Sequence, residues 1–367
     1  MQPMGPFQLL AARFPVTRPW EDFDERYVTR PNPIGDEVAD SLLFEPSGSH
    51  VIVGSIGSGK STELYRAATR LQRAGSSLVV ACADADLLGD GLTDPRPGIL
   101  ITRVAQALAA TPISPPFALA GEQAAARVRR RAAAEGMPPS ADVEPMETSD
   151  PDDLRQMVAA LAPRRVVVLL DSFDRLLPAS TYFEAIERDL LMLKRVGVGV
   201  VLTAPVDVLF LHWREALSNF SSVHVLRALD PGVGEHGEFL HAVLARRDPE
   251  ELIPMPVRDA LVEASGGHPR HLVQLAHAAA RAAAPAGTRR VWSEDVRRAC
   301  DRLGEFLADA LVGEQVVILD AIVREEMPDR ASDSLIGLVR DGRVFDDGDG
   351  RYRIHPALLA RPARRVA

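Results

Sequence analysis

Gly54-Ser55-Ile56-Gly57-Ser58-Gly59-Lys60-Ser61 is the stretch whose residue types and spacing could do chemistry most directly. It satisfies G-x-x-x-x-G-K-[ST], and it stands between a β-branched run at His50–Gly54 and a helical stretch from about Lys60 to Ala74. Glycines at 54, 57 and 59 let the backbone wrap phosphates and offer N–H groups that no side chain obstructs. Lys60 supplies positive charge to β- and γ-phosphates. Ser61 offers a hydroxyl to Mg²⁺, and the helix amino terminus, with Thr62 in its first turn, adds its dipole. The implied ligand is ATP or ADP with Mg²⁺.

Such a loop needs an acidic residue on a neighbouring strand to hold the magnesium shell. Asp171 closes Arg165-Val-Val-Val-Leu-Leu-Asp171, the most apolar run in the chain. Asp174 follows three residues later and is read in two ways. It polarises a water for hydrolysis, or it caps a helix or pairs with Arg175. Thr203 sits where Val198–Val201 runs out through Leu202-Thr203-Ala204-Pro205, at the strand edge where open α/β sheets bind ligands. It either orients water or the γ-phosphate, or simply ends the strand.

The elements that must position these groups alternate. Strands are expected at 50–54, 76–83, 165–171, 198–203 and 223–226, and helices at 60–74, 99–110, 152–161, 182–195 and 206–217. That order predicts an α/β fold with a mostly parallel sheet flanked by helices. From Glu235 onward the pattern turns helical, with helices expected at 237–246, 257–264, 269–282 and 293–307. Helices at 312–325 and 332–341 and a hairpin turning at Asp-Gly within 343–354 then give a winged-helix order. The expected domains are an amino-terminal segment 1–49, an ATPase core 50–230, a helical lid 231–309 and a winged helix 310–367. Within the core, 112–150 is expected as a mobile insertion with one helix near Glu122–Glu135. Its Arg127, Arg129, Arg130 and Arg131 either meet an acidic partner or form a solvated face.

The chain has 367 residues, 46% of them hydrophobic and 25% charged, with a net charge of −9. That balance is ordinary for a globular protein and argues against a mainly electrostatic DNA or membrane binder. Cys82 and Cys300 match no metal-ligand spacing and are expected as reduced, largely buried thiols. The start, Met1-Gln-Pro-Met-Gly-Pro-Phe, does not resemble a signal peptide. Val196–Leu211 falls short of the ~18 uninterrupted apolar residues that a membrane helix needs. A cytoplasmic location is expected.

The phosphate loop, Leu-Leu-Asp171-Ser172-Phe173-Asp174 and Leu-Thr203-Ala-Pro205, in that order, resemble the AAA+ and STAND branches of P-loop ATPases, the latter including NACHT and NB-ARC proteins. The STAND pattern places four apolar residues, Asp, a small residue, an apolar residue and an acid in the second motif. The common AAA+ form has Glu where this chain has Ser172. Gly266-Gly267-His268-Pro269-Arg270 is similar to the lid motif of these families. The resemblance implies that Pro269 packs near the nucleotide. It also implies that Arg270 is the arginine called sensor 2, which reaches the γ-phosphate in origin-recognition ATPases; a surface arginine is the alternative. Ile34 and Gly35 fall where these families enclose the adenine. His355 falls where a winged-helix histidine contacts the ADP β-phosphate, or else it is a surface or capping histidine. Asn219 stands where many AAA+ rings have an arginine finger, with Arg214 one turn earlier, and that departure implies slow hydrolysis.

The resemblance therefore implies a molecular switch that couples ATP or ADP to conformational change. The chain stops soon after the winged helix, so separate protein partners would supply sensor and effector, or the protein would form a nucleotide-dependent homo-oligomer. The alternative is a DNA-associated ATPase of the origin-recognition or transposition-regulator type. Against DNA stand the net charge and the acids flanking Asp333–Asp341, and in the hairpin Asp346, Asp347 and Asp349 interleave with Arg343, Arg351 and Arg353. A metabolic kinase would need an acceptor pocket, for which the helical and winged-helix regions give no counterpart.

Overall fold

β-Branched and leucine runs become strands wherever helices can cover both faces, and five of them form one parallel sheet. The computed structural model describes residues 6–14, 26–75, 77–84, 98–114, 116–134, 150–175, 179–210, 217–286, 290–309, 311–348 and 350–359. Its contacts divide the chain into two compact units. The sheet unit is Ile34–Val53 with Lys60–Val225, and the helical unit is Met1–Pro33, Gly54–Gly59 and Leu226–Ala367.

In the order of the chain, α1 is Pro6–Ala12, α2 Ile34–Phe44, β1 Ser49–Gly54, α3 Lys60–Arg73 and β2 Leu78–Asp84. Then come α4 Ile99–Ala110, α5 Leu119–Ala134, α6 Asp150–Leu161, β3 Arg165–Asp171, α7 Ala179–Val196, β4 Val198–Pro205 and β5 Ser222–Leu226. The sheet order is β2-β3-β4-β1-β5. β3 pairs in parallel with β2, Val166 opposite Val79, and with β4, Val166 opposite Val198. Every residue of β3 after Arg165 is buried, as an apolar run covered on both faces must be.

The core of this unit joins Val51, Val53, Val104, Leu108, Met157, Leu170 and Leu202. The expected mobile insertion is corrected here for 119–134. Ala124, Ala125 and Val128 of α5 lie in that core at 1% exposure or less. The buried Asp153 carboxylate holds Arg127 and Arg131, while Arg129 donates to the Ala109 carbonyl and to Glu122. Arg127 and Arg131 thus tie α5 to α6 through a buried carboxylate, whereas Arg129 and Arg130 are exposed, as the solvated-face alternative has it; residues 135–149 lie outside the described residues. Gly98 precedes α4 with no side chain to cap it. The Asp189 carboxylate from α7 accepts from the N–H groups of Gly98, Leu100 and Ile101 instead. Of the helix expected at 206–217, Val206–Leu209 is 3₁₀ and 211–216 lie outside the described residues.

In the helical unit, α8 (Gly234–Arg247), α9 (Met255–Ala264), α10 (Pro269–Ala283) and α11 (Ser293–Asp309) share a core with Phe7, Leu10 and Phe14. The chain then forms α12 (Gly313–Val323), α13 (Asp333–Arg340), the antiparallel β6 (Val344–Asp346) and β7 (Tyr352–Ile354), and α14 (Pro356–Leu359). Helix, helix, hairpin is the expected order. α12 is apolar yet has no fully buried residue, and Val317 and Val323 are exposed. Cys82 and Cys300 are free and half-buried. Among the described residues no helix is long and apolar enough to cross a membrane.

Candidate functional site

The phosphate-loop motif runs along the chain from the helical unit into the sheet unit, whose part begins at Lys60. Lys60 opens α3, is 5% exposed, and its Nζ lies 2.8 Å from Asp174 Oδ2. Asp174 stands in a 3₁₀ turn, Phe173–Arg175, just beyond β3. Between them Ser172 adopts φ 68, a left-handed conformation costing a non-glycine residue about 1–2 kcal/mol. That kink lets the chain leave the strand within one residue. Asp174 has Lys60 as an ion-pair partner, which neither the cap nor the Arg175 pair includes.

Asp171, 5% exposed at the carboxyl end of β3, hydrogen-bonds the Ser61 hydroxyl and the Ser172 backbone. Burial pushes its carboxyl above the usual range, the Asp174 and Asp84 carboxylates push the same way, and the two hydrogen bonds oppose them. Asp84 is its register partner at the end of β2. Thr203 is fully buried within β4. Among the described residues no three His, Cys, Asp or Glu side chains form a metal cage. A magnesium ion bound mainly by phosphates and water needs less, and the Ser61 hydroxyl beside the Asp171 carboxylate fits that requirement.

Gly35 follows from helix packing. A Cβ there would lie 2.5 Å from the Glu63 carbonyl oxygen and 2.8 Å from Arg66 Cβ. Its N–H donates to Glu63 Oε2 at 2.7 Å, and Asp36 and Asp40 hold Arg66 and Arg70, so α2 is stitched along α3. Ile34 is half-buried at the start of α2.

Gly54–Gly59 packs within the helical unit. Gly57 has φ 86, and a Cβ on it would meet Arg270 Cβ at 2.7 Å and His268 Cε1 at 2.8 Å. The stem of Arg270, in the first turn of α10 after Pro269, thus lies on the loop. The Ile56 N–H donates to the Arg340 carbonyl at 2.9 Å, at the last residue of α13. Arg30, 8% exposed, donates from Nη1 to the Ser58 carbonyl at 3.0 Å and from Nη2 to the Arg227 carbonyl.

Behind the loop, three buried histidines meet. His271 Nδ1 lies 3.0 Å from His355 Nε2, His268 rests 4.1 Å from His271 ring to ring, and Phe345 stacks on His268. Burial holds all three neutral: His271 is lowered to about 4, His355 to about 3, and His268 well below its ordinary value. His355 Nδ1 accepts from the Ala357 N–H at the start of α14. The two ring nitrogens of His355 are engaged by His271 and by the start of its own helix, the geometry of the capping alternative. Asn219 gives its carbonyl to the Ser49 hydroxyl at 3.4 Å, and Arg214 lies outside the described residues.

No protein-family profile and no curated protein matches the sequence. Solved structures do. A Walker-type ATPase of Pyrococcus abyssi superposes with TM-score 0.56 at 15% identity, covering 95% of this chain and 99% of that one. The fold, a parallel sheet flanked by helices, is similar to that structure's. Also similar are the ORC1 protein of Aeropyrum pernix in complex with DNA (TM-score 0.48, 17% identity, 87% and 75% covered) and Cdc6p from Pyrobaculum aerophilum (0.48, 14%, 95% and 87%).

Sequence reasoning missed Arg30, Glu63, Asp84 and the carbonyl of Arg340. Asp84 had a signal, an acid closing a β-branched run. Arg30 and Arg340 had none, because their contacts with the loop join residues far apart in the chain.

Proposed function

We propose that the chain binds Mg-ATP at Gly54–Ser61, hydrolyses it slowly, and converts its nucleotide state into a movement of the carboxyl-terminal winged helix. The observation that carries this is the hydrogen bond from the loop's Ile56 N–H to the Arg340 carbonyl, at 2.9 Å. Phosphate oxygens compete for loop N–H groups of this kind. Gly57, Lys60 and Thr62 would surround the phosphates, Ser61 and Asp171 would hold Mg²⁺, and the ion would neutralise developing charge. Arg270 would reach the γ-phosphate from the start of the lid helix, with Pro269 near the nucleotide and Ile34 and Gly35 on the adenine side. Once phosphate takes Lys60, the Asp174 carboxylate is released to accept a proton from the attacking water, which Thr203 helps to orient. Partner proteins, or further copies of the chain, would read the moved winged helix.

The test compares ADP with a non-hydrolysable ATP analogue by amide exchange across 54–59 and 338–355, together with the oligomeric state. Different protection in the two states is expected; identical protection and identical mass would sink the switch.

The second reading is a DNA-associated ATPase, which the helix–helix–hairpin order favours and over which the comparisons give the switch no advantage. Its weakness lies in the side chains. Arg343 is buried, Arg353 is held by Asp347 at 2.9 Å, and Arg330 lies 3.6 Å from Asp346. A DNA reader needs such cations at phosphates. A salt-dependent mobility shift with duplex DNA would move the proposal to this reading.

A further inference from the structure

The chain carries net charge −9, yet one concavity of the sheet unit is lined by four arginines and no acid. It opens at the amino-terminal ends of β3 and β4, has a volume of about 770 Å³, and is walled by Arg155, Arg164, Arg165 and Arg195 over a floor that includes Val158 and Met192. Arg155 is balanced by Asp152 at 2.6 Å, and Arg164 donates to the Ser114 carbonyl. Arg165 and Arg195 are exposed, and among the described residues neither guanidinium has an ion-pair partner.

We propose that this concavity docks an acidic protein segment that also carries apolar side chains. Guanidinium groups match carboxylates in a two-pronged geometry, so arginines around a concave surface select carboxylates over neutral groups. The floor selects further. Val158 and Met192 are half-buried and offer nothing to a sugar-phosphate backbone, whereas they accept leucine-like side chains, and methionine adapts to their shape. Arg195 in the last turn of α7 has a structural use, complementing the helix dipole. Arg165 begins β3, exposed beside the fully buried Val166. The site is separate from the phosphate loop. Arg165 and Asp171 are opposite ends of one strand, about 20 Å apart at the usual ~3.3 Å rise. A docked segment would thus leave the nucleotide residues free, and the inference does not depend on the switch.

The experiment uses the full chain and a short fluorescein-labelled peptide of glutamate and leucine, read by anisotropy at low and high salt. The same peptide with glutamine for glutamate and a labelled oligothymidylate serve as comparisons. The glutamate peptide is expected to bind at least ~10-fold tighter than the glutamine peptide, with the difference shrinking at high salt. Arg165→Glu with Arg195→Glu is expected to weaken it by ~10-fold or more while ATP binding stays unchanged. If that pair does not fold, Arg195→Gln alone, with a ~3-fold loss expected, takes its place. Equal binding of the two peptides, or binding indifferent to both variants, overturns the proposal. So does oligothymidylate binding with the same arginine dependence and displacing the peptide, which would make this a nucleic-acid surface.

Discussion

Asp174→Asn separates the two tasks assigned to this carboxylate. Lys60 is 5% exposed and Asp174 is 18% exposed, at 2.8 Å. At an effective dielectric near 20 their attraction is about 6 kcal/mol before desolvation is subtracted. Leaving one member of such a buried pair alone costs about 3–5 kcal/mol. Asparagine keeps an oxygen that accepts a hydrogen bond from Lys60, so a net loss of about 2–3 kcal/mol is expected, a fall in melting temperature of about 5–10 °C. Nucleotide binding should move the other way. The wild-type lysine must leave its carboxylate before it meets phosphate, whereas in the variant it has no such competitor. A gain of about 1–2 kcal/mol, roughly 5–30-fold in affinity, follows. Hydrolysis should fall about 10²–10⁴-fold if Asp174 accepts the proton of water. Thermal melting without nucleotide, calorimetric titration with Mg-ATP and a phosphate-release assay give the three readouts. A variant that melts like the wild type and binds ATP more weakly would refute the reasoning, because the pair would then neither stabilise nor compete.

Gly57→Ala should cost about 2–5 kcal/mol, combining a left-handed φ with a Cβ 2.7 Å from Arg270, and should lower the melting temperature with ATP affinity; an unchanged melting curve would contradict the packing of α10 on the loop. Arg30→Ala removes a buried guanidinium from two carbonyls, so ATP affinity should fall about 10-fold or more, with partial rescue in Arg30→Lys, as titration would show. The histidine cluster gives a pH dependence. His271 and His355 titrate near 4 and 3 when folded and near 6.5 when unfolded, so the unfolded chain binds more protons between these values. Stability is then full above about pH 6.5 and declines as pH falls toward 4. A His271→Asn, His355→Asn double variant should show a shallower decline by chemical denaturation, and an equal slope would dismiss the cluster as the cause. Asp189→Ala strips three N–H groups at the start of α4 of their acceptor and should cost about 2–4 kcal/mol in urea unfolding.

The phosphate loop, β3 and Asp171 were legible because each is a local pattern: a fixed spacing, a continuous apolar run, an acid where that run ends. α4 and β3 have the expected bounds for the same reason. α2 carries a local signal, Val38, Ala39 and Leu42 at helical spacing behind Asp36 and Glu37, which an adenine-side reading of Ile34 and Gly35 leaves unused. α5 was misjudged from composition. Alanine and arginine look like a solvated helix until Asp153, more than twenty residues later, supplies the buried carboxylate that binds the arginines. The Lys60–Asp174 pair and the contact between His271 and His355 join residues far apart in sequence. No spacing rule reaches such pairs, because the sheet order and helix packing must exist before their distance means anything.

The Ile56 N–H has the Arg340 carbonyl for its partner, and a bound phosphate would present it with a second acceptor. A switch requires such a choice between discrete arrangements, each satisfied and mutually exclusive. The surroundings of Gly57 make intermediate positions expensive. With φ 86 and no space for even a methyl group, Gly57 is packed directly against the Arg270 stem and the His268 ring. His268 in turn is stacked on Phe345 of the hairpin, and His271 holds His355 at the start of the last helix. In the proposed switch, displacement of Ile56 and Gly57 would reach α10, β6 and α14 through contacts within a single compact unit. The proposed switch therefore needs no DNA contact from the carboxyl-terminal hairpin, whose Arg353 is held by Asp347.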